Sequence, residues 1–204
     1  MYENTFTRLA EDETREVLEF INPHIHGIRY DPETAVVMVS DISFYSGYKF
    51  FDIAEYSLVP PARRFVVSNG ENVVVLDWTN GPIYGLNETV PVTLDEMNVS
   101  DYVRFFFTYV RGRHGRFLIT ESVDDVNWKE DPPPAARKAI GKMLVPLTLI
   151  GRDDKGNIIL TACMMFRDSL FKAKVTVEPN GLVTLSDEEL LIEEMPVLDD
   201  TFAQ

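Results

Sequence analysis

A single cysteine, Cys163, is all the thiol this chain carries. No internal disulfide can form, so the fold must rest on packing, and a reducing cytoplasmic setting is expected. Long apolar runs are missing too. None approaches the roughly 18–20 residues of a membrane-spanning helix, and the first thirty residues hold no basic-then-apolar leader, so neither insertion into a membrane nor secretion is expected. Basic charge is scarce: 19 Lys+Arg face 33 Asp+Glu, for a net charge of −14. That balance argues against a nucleic-acid partner, because a phosphate backbone is held by cations. The motifs G-x-x-x-x-G-K-[ST], G-x-G-x-x-G, H-E-x-x-H and C-x-x-C do not occur, so no cofactor is expected. Ser46-Gly47 lacks the leading glycine of a nucleophile elbow.

What is present is ordinary globular composition. The 204 residues are 45 % apolar and 11 % aromatic, enough to bury about 70 % of the unfolded chain's surface without a staple. The charge is uneven along the chain. Residues 1–100 carry 6 basic and 16 acidic side chains, residues 101–175 carry 13 and 9, and residues 176–204 carry none and 8. No repeat, heptad run or low-complexity tract occurs, which excludes solenoids and coiled coils.

Leu9, Glu13, Val17 and Ile21 recur at four-residue steps, with Ala10, Leu18 and Phe20 alongside, predicting an amphipathic helix over 7–21 that stops at Asn22-Pro23. Ala35–Val39 is β-branched and reads as a strand, and a short helix is expected near Tyr48–Tyr56. Phe65–Val67 and Val73–Leu76 flank Ser68-Asn69-Gly70, a strong hairpin signal. Thr79–Pro82 reads as a loop. Ser100 is the expected N-cap of a helix over Asp101–Arg111 that is apolar nearly all round and therefore central; a buried strand is the alternative for so apolar a run, and the cap with the following Gly112 favours the helix. Arg116–Thr120 reads as a strand, and Pro132–Pro134 open a short helix over Ala135–Met143. Four strands follow, over 145–150, 158–167, 171–177 and 182–185, joined by Asp154–Asn157 and Pro179–Gly181, and tight turns make them an antiparallel meander.

The expected class is therefore α+β: a curved antiparallel sheet ending in a C-terminal β-meander, with two to four helices packed mainly on one face. It forms one domain over 1–196 with a frayed acidic tail over 197–204. The order of elements is similar to cystatin-like and nuclear-transport-factor-like folds, an analogy of layout that carries no function.

Several groups are candidates for chemistry. His24-Ile25-His26 would aim two imidazoles to one side of a strand, as zinc sites do, but no further ligand is near in sequence and no metal is expected. Cys163 lies mid-strand in an apolar run and is expected to be buried and inert. Glu121, Asp124 and Asp125 beside Trp128 are the carboxylates that acid–base work on a sugar would use, though turn acids are usually only solvated. Asp153–Asn157 misses the glycine position and closing Glu of a calcium loop, and is a hairpin turn. Tyr45, Tyr48, Phe50, Phe51 and Tyr56 near Gly47 are core and rim, and the place to look for an apolar groove. Arg111-Gly112-Arg113-His114-Gly115-Arg116 gathers cations after a helix end. The dipole accounts for Arg111, whereas Arg113, His114 and Arg116 lie beyond it and are the expected ligand-binding residues, for an anion. The function expected is a non-catalytic cytoplasmic binding domain for a protein or a small ligand, an anionic one included. The alternatives are a small hydrolase or lyase using histidine and carboxylates in a sheet-lined pocket, or a structural subunit of a larger assembly.

Overall fold

The computed structural model describes residues 5–112 and 115–198. It is α+β, with four helices and two antiparallel sheets of five strands each. The described residues fall into two compact units, one of 5–77 and 81–93 and the other of 78–80, 94–112 and 115–198.

The first unit opens with β1 (Thr7–Arg8) and α1 (Glu11–Ile21). Helix α1 begins later than the four-residue periodicity predicts, because Thr7-Arg8 pairs with β2 (Ala35–Asp41). The Glu13 carboxylate accepts the Ala10 N–H at 3.0 Å and so closes the helix entry. The exit is where proline places it: α1 runs into a 3₁₀ turn, Asn22–His24. Strands β2, β3 (Lys49–Glu55), β4 (Ala62–Ser68) and β5 (Val73–Leu76) then pair in chain order. Gly70, at φ +88°, takes the left-handed position in the β4–β5 turn.

The segment around Tyr48–Tyr56 is a strand rather than a helix. β3 sits between β2 and β4 and is buried on both faces, with Phe51 and Ile53 on one side and Phe50, Asp52 and Ala54 on the other. Apolar residues on both sides erase the period-two signal that marks a strand. The polar intruder, Asp52, is held by a two-pronged pair with Arg63 of β4. One face of this sheet meets α1 in a core of Leu18, Ile21, Val37, Phe51, Ile53 and Val66. The unit closes with α2 (Gly81–Thr89), whose first two residues fall in the 79–82 stretch that composition reads as a loop. Ile83 and Leu86 are its buried anchors, and Pro82 in the first turn favours the start that its neighbouring glycines obscure.

In the second unit, α3 (Val99–Tyr109) is the helix expected, starting two residues early with Asn98 rather than Ser100 at the N-cap. Tyr102, Val103, Phe105, Phe106, Phe107 and Tyr109 are all buried on it, and Tyr102 donates its hydroxyl to the Gly181 carbonyl at 2.6 Å. Next come β6 (Phe117–Ile119), a 3₁₀ turn at Val123–Asp125, and α4 (Pro134–Met143). The meander is β7 (Thr148–Arg152), β8 (Ile158–Phe166), β9 (Ser169–Val177) and β10 (Val183–Ile192).

β8 organises this sheet. Along one edge it pairs with all of β9, while β6 and β7 share the other edge end to end, meeting Met164–Phe166 and Ile158–Thr161 respectively. Residues 120–147 therefore leave and rejoin the same strand edge. The departing Thr120 N–H donates to the Cys163 carbonyl at 2.9 Å. The returning Val145 N–H donates to Cys163 Sγ at 3.2 Å. Val126 of this excursion, together with Met195 and Val197 from the segment after β10, packs with Cys163, Met165 and Leu170 in one buried cluster.

Val197 is buried and bridges Trp128, and the Leu198 N–H donates to the Asn127 carbonyl at 2.7 Å, so the strand-forming edge of the excursion holds both residues. Residues 199–204 of the expected tail lie outside the described residues.

Candidate functional site

In the first unit a cleft of ≈ 340 Å³ opens between β5, the 3₁₀ turn and α2. Its size is at the lower end of the roughly 300–1,000 Å³ typical of small-molecule sites. Three local devices build it. Pro23 ends α1 and leaves His24 at the rim, where its ring lies 6.1 Å from that of Phe20. The Asn22 side chain clamps the next segment by donating Nδ2 to the Tyr30 carbonyl and accepting the Tyr30 N–H, both at 2.9 Å. Asn69 Oδ1 accepts the N–H groups of Glu71 and Asn72 at 3.0 and 2.8 Å, an Asx turn that sets where those two side chains start.

The cleft has two characters. Val73, Val74, Leu86 and Val90 are its apolar lining residues. His24, Tyr48, Glu71, Asn72 and Thr89 supply its polar groups. Asn72 Nδ2 reaches Tyr48 Oη at 3.5 Å, and Thr89 Oγ1 donates to the Leu86 carbonyl of its own helix at 3.1 Å. His24 and Glu71 are exposed, and neither side chain hydrogen-bonds among the described residues.

The cationic run lies in the second unit. Arg111 stacks its guanidinium on Trp78, 4.0 Å from the ring centre, and its N–H donates to the Trp78 carbonyl at 2.7 Å. Arg116 serves the helix end: its Nη2 donates to the Thr108 carbonyl at 3.1 Å in the last turn of α3. Gly112 and Gly115 bond one another through both backbone pairs, at 2.9 and 3.2 Å. Arg113 and His114, two of the three expected ligand-binding residues, lie outside the described residues. Arg116 lines a shallow depression with Arg167, Asp125 and Asn127. Its ≈ 20 Å³ suits a water or the end of one charged group.

The remaining candidates hold the chain together. Glu121 pairs with Arg104 and also accepts the Leu147 N–H at 3.0 Å, which draws its carboxyl below the usual range. Asp125 Oδ2 accepts the N–H groups of Glu121 and Ser122 at 2.8 and 2.7 Å, and Asp124 pairs with Arg137. Trp128 Nε1 donates to the Val123 carbonyl at 3.1 Å. Cys163 is fully buried and donates Sγ to the Met143 carbonyl at 3.7 Å. His24 and His26 do not share a strand face, since the first closes a 3₁₀ turn; no group of metal-binding side chains forms among the described residues. Asp153–Asn157 is the β7–β8 turn, with Asp153 accepting from Lys155, Asn157 N–H and the Asn157 amide.

Of the aromatic patch, Tyr45, Phe50 and Phe51 are core, Tyr56 is exposed, and Tyr48 reaches the cleft. The structure thus joins His24 and Tyr48, which sequence reasoning treated separately. It adds Glu71, Asn72 and Thr89, whose only signal was the Asn-Gly turn beside the first two. No protein-family model, curated protein or solved structure matches this chain.

Proposed function

We propose that this protein is a non-catalytic binding domain that takes a small molecule into the cleft between β5, the 3₁₀ turn and α2. The observation that carries this reading is the cleft's composition: apolar Val73, Val74, Leu86 and Val90 together with His24, Tyr48, Glu71, Asn72 and Thr89, the mix of residue types small-molecule sites share.

Thermal shift tests the reading with a panel of amines, carboxylic acids, sugars and nucleotides, on the wild-type chain and on Thr89→Trp. Thr89 is exposed on a helix surface at the cleft's edge, so tryptophan there fills the space without disturbing the core. One compound class should raise the wild-type Tm saturably and leave Thr89→Trp unmoved. Shifts that persist in the variant, or none in either protein, overturn the reading.

A second reading is an anion subsite at Arg113, His114 and Arg116. The observation favouring it is that Arg116 shares its depression with Arg167, two guanidiniums that suit one carboxylate or phosphate group. Sulfate titrated at constant ionic strength should stabilise the wild type more than Arg116→Ala/Arg167→Ala; equal stabilisation rejects the subsite.

A further inference from the structure

We infer that the cleft selects a small organic cation with an apolar body, an alkyl or aryl amine. This rests on the preceding proposal that the cleft binds a ligand, and it names the chemistry of that ligand.

The charge of the lining sets the sign. Glu71 is its carboxylate, and neither lysine nor arginine lines the space. Among the described residues Glu71 forms no ion pair, so a ligand's ammonium would not have to displace a resident cation. The long-range field has the same sign, since residues 1–100 carry 6 basic against 16 acidic side chains. Such a field concentrates cations at the protein and repels anions.

Asn72 adds an acceptor that an ammonium can use. Asn72 directs its amide nitrogen at Tyr48 Oη, which leaves its carbonyl oxygen as an acceptor. A primary ammonium brings three donors and no acceptor. Beyond the head group, Val73, Val74, Leu86 and Val90 are the apolar residues lining the space, so an apolar body suits the ligand better than a polar one. The volume admits a ring or a short alkyl chain and excludes a dinucleotide.

The experiment uses three matched probes on the full chain: 2-phenylethylamine, 3-phenylpropanoate and 2-phenylethanol, measured by isothermal titration with wild type, Glu71→Gln and Thr89→Trp. Glu71 is exposed, so Glu71→Gln keeps the shape and removes the charge. The amine should bind wild type saturably, bind Glu71→Gln at least tenfold more weakly, and fail to bind Thr89→Trp. The acid and the alcohol should bind at least tenfold more weakly than the amine. If the acid or the alcohol matches the amine, or Glu71→Gln binds the amine unchanged, the cation is wrong; loss of that same binding in Thr89→Trp would then leave the cleft standing as a site. The cation is equally wrong if no probe binds while another compound class binds wild type and not Thr89→Trp. If nothing binds at all, the cleft proposal fails and this inference falls with it.

Discussion

Glu121 receives both Nε and Nη2 of Arg104, at 2.9 and 2.8 Å, and the same carboxylate accepts the Leu147 N–H. One side chain thereby ties helix α3 to the start and the end of the 120–147 excursion. The pair is about a fifth exposed on each side, at 23 % and 21 %. Bidentate geometry and partial burial put it well above the usual exposed ion pair.

Glu121→Gln keeps the shape and removes the charge. The expected cost at neutral pH is about 2 kcal/mol, or a Tm drop of roughly 4–8 °C for a chain of this size. The pH dependence has a definite sign. The Arg104 hydrogen bonds hold the Glu121 carboxyl below its ordinary 4.5 in the folded state. Its stabilisation is complete above the unfolded value and disappears as pH falls through the folded one. Wild type and variant should differ by a constant amount from pH 7 to 5 and converge below pH 4.5. Parallel curves down to pH 3 would remove the charge from the account.

Phe106→Ala should be among the most damaging single changes. Phe106 is 6 % exposed on a helix with seven buried residues, and it packs edge-on against Phe107 at 5.4 Å. Truncation should cost about 3–5 kcal/mol through lost transfer energy and a cavity, read from urea unfolding. A loss under about 1 kcal/mol would contradict the packing described.

What was legible in the sequence and what was not follow one physical division. Helix α3 was readable because a cap region and an unbroken apolar run agree over about a dozen residues. The meander was readable from its turns. β3 was not, since a strand buried on both faces carries no alternation. Nor was α2, whose two glycines mask the Ile83 and Leu86 anchors. The cleft is assembled from segments near residues 24, 48, 72 and 89, brought together only by the Asn22 clamp, the Asx turn and sheet pairing. Single residues such as His24 and Tyr48 drew notice, but the signal that they share a space is tertiary.

Tyr30→Phe should be neutral or stabilising. The phenol is fully buried and its hydroxyl has no hydrogen-bond partner among the described residues, so burial pushes its ionisation above the ordinary value. Removing an unsatisfied buried polar atom relieves a desolvation cost of about 1–3 kcal/mol. A clear fall in Tm would mean that the hydroxyl makes an interaction this account lacks.

A chain ending at Pro196 should melt at least about 3 °C below one ending at Leu198. The difference holds Val197, whose burial is worth about 1.5–3 kcal/mol, and the Leu198 bond to Asn127; the conversion to temperature follows from domain size. Equal melting temperatures would show that this edge contributes nothing.

The cleft itself is tested most directly by mapping backbone amide shifts in a ¹⁵N NMR titration of the full chain with 2-phenylethylamine. The account predicts saturable perturbations confined to four stretches, around His24, around Tyr48, from Glu71 to Val74, and from Leu86 to Val90. Saturable perturbations centred elsewhere, or only small non-saturating drifts, would contradict it.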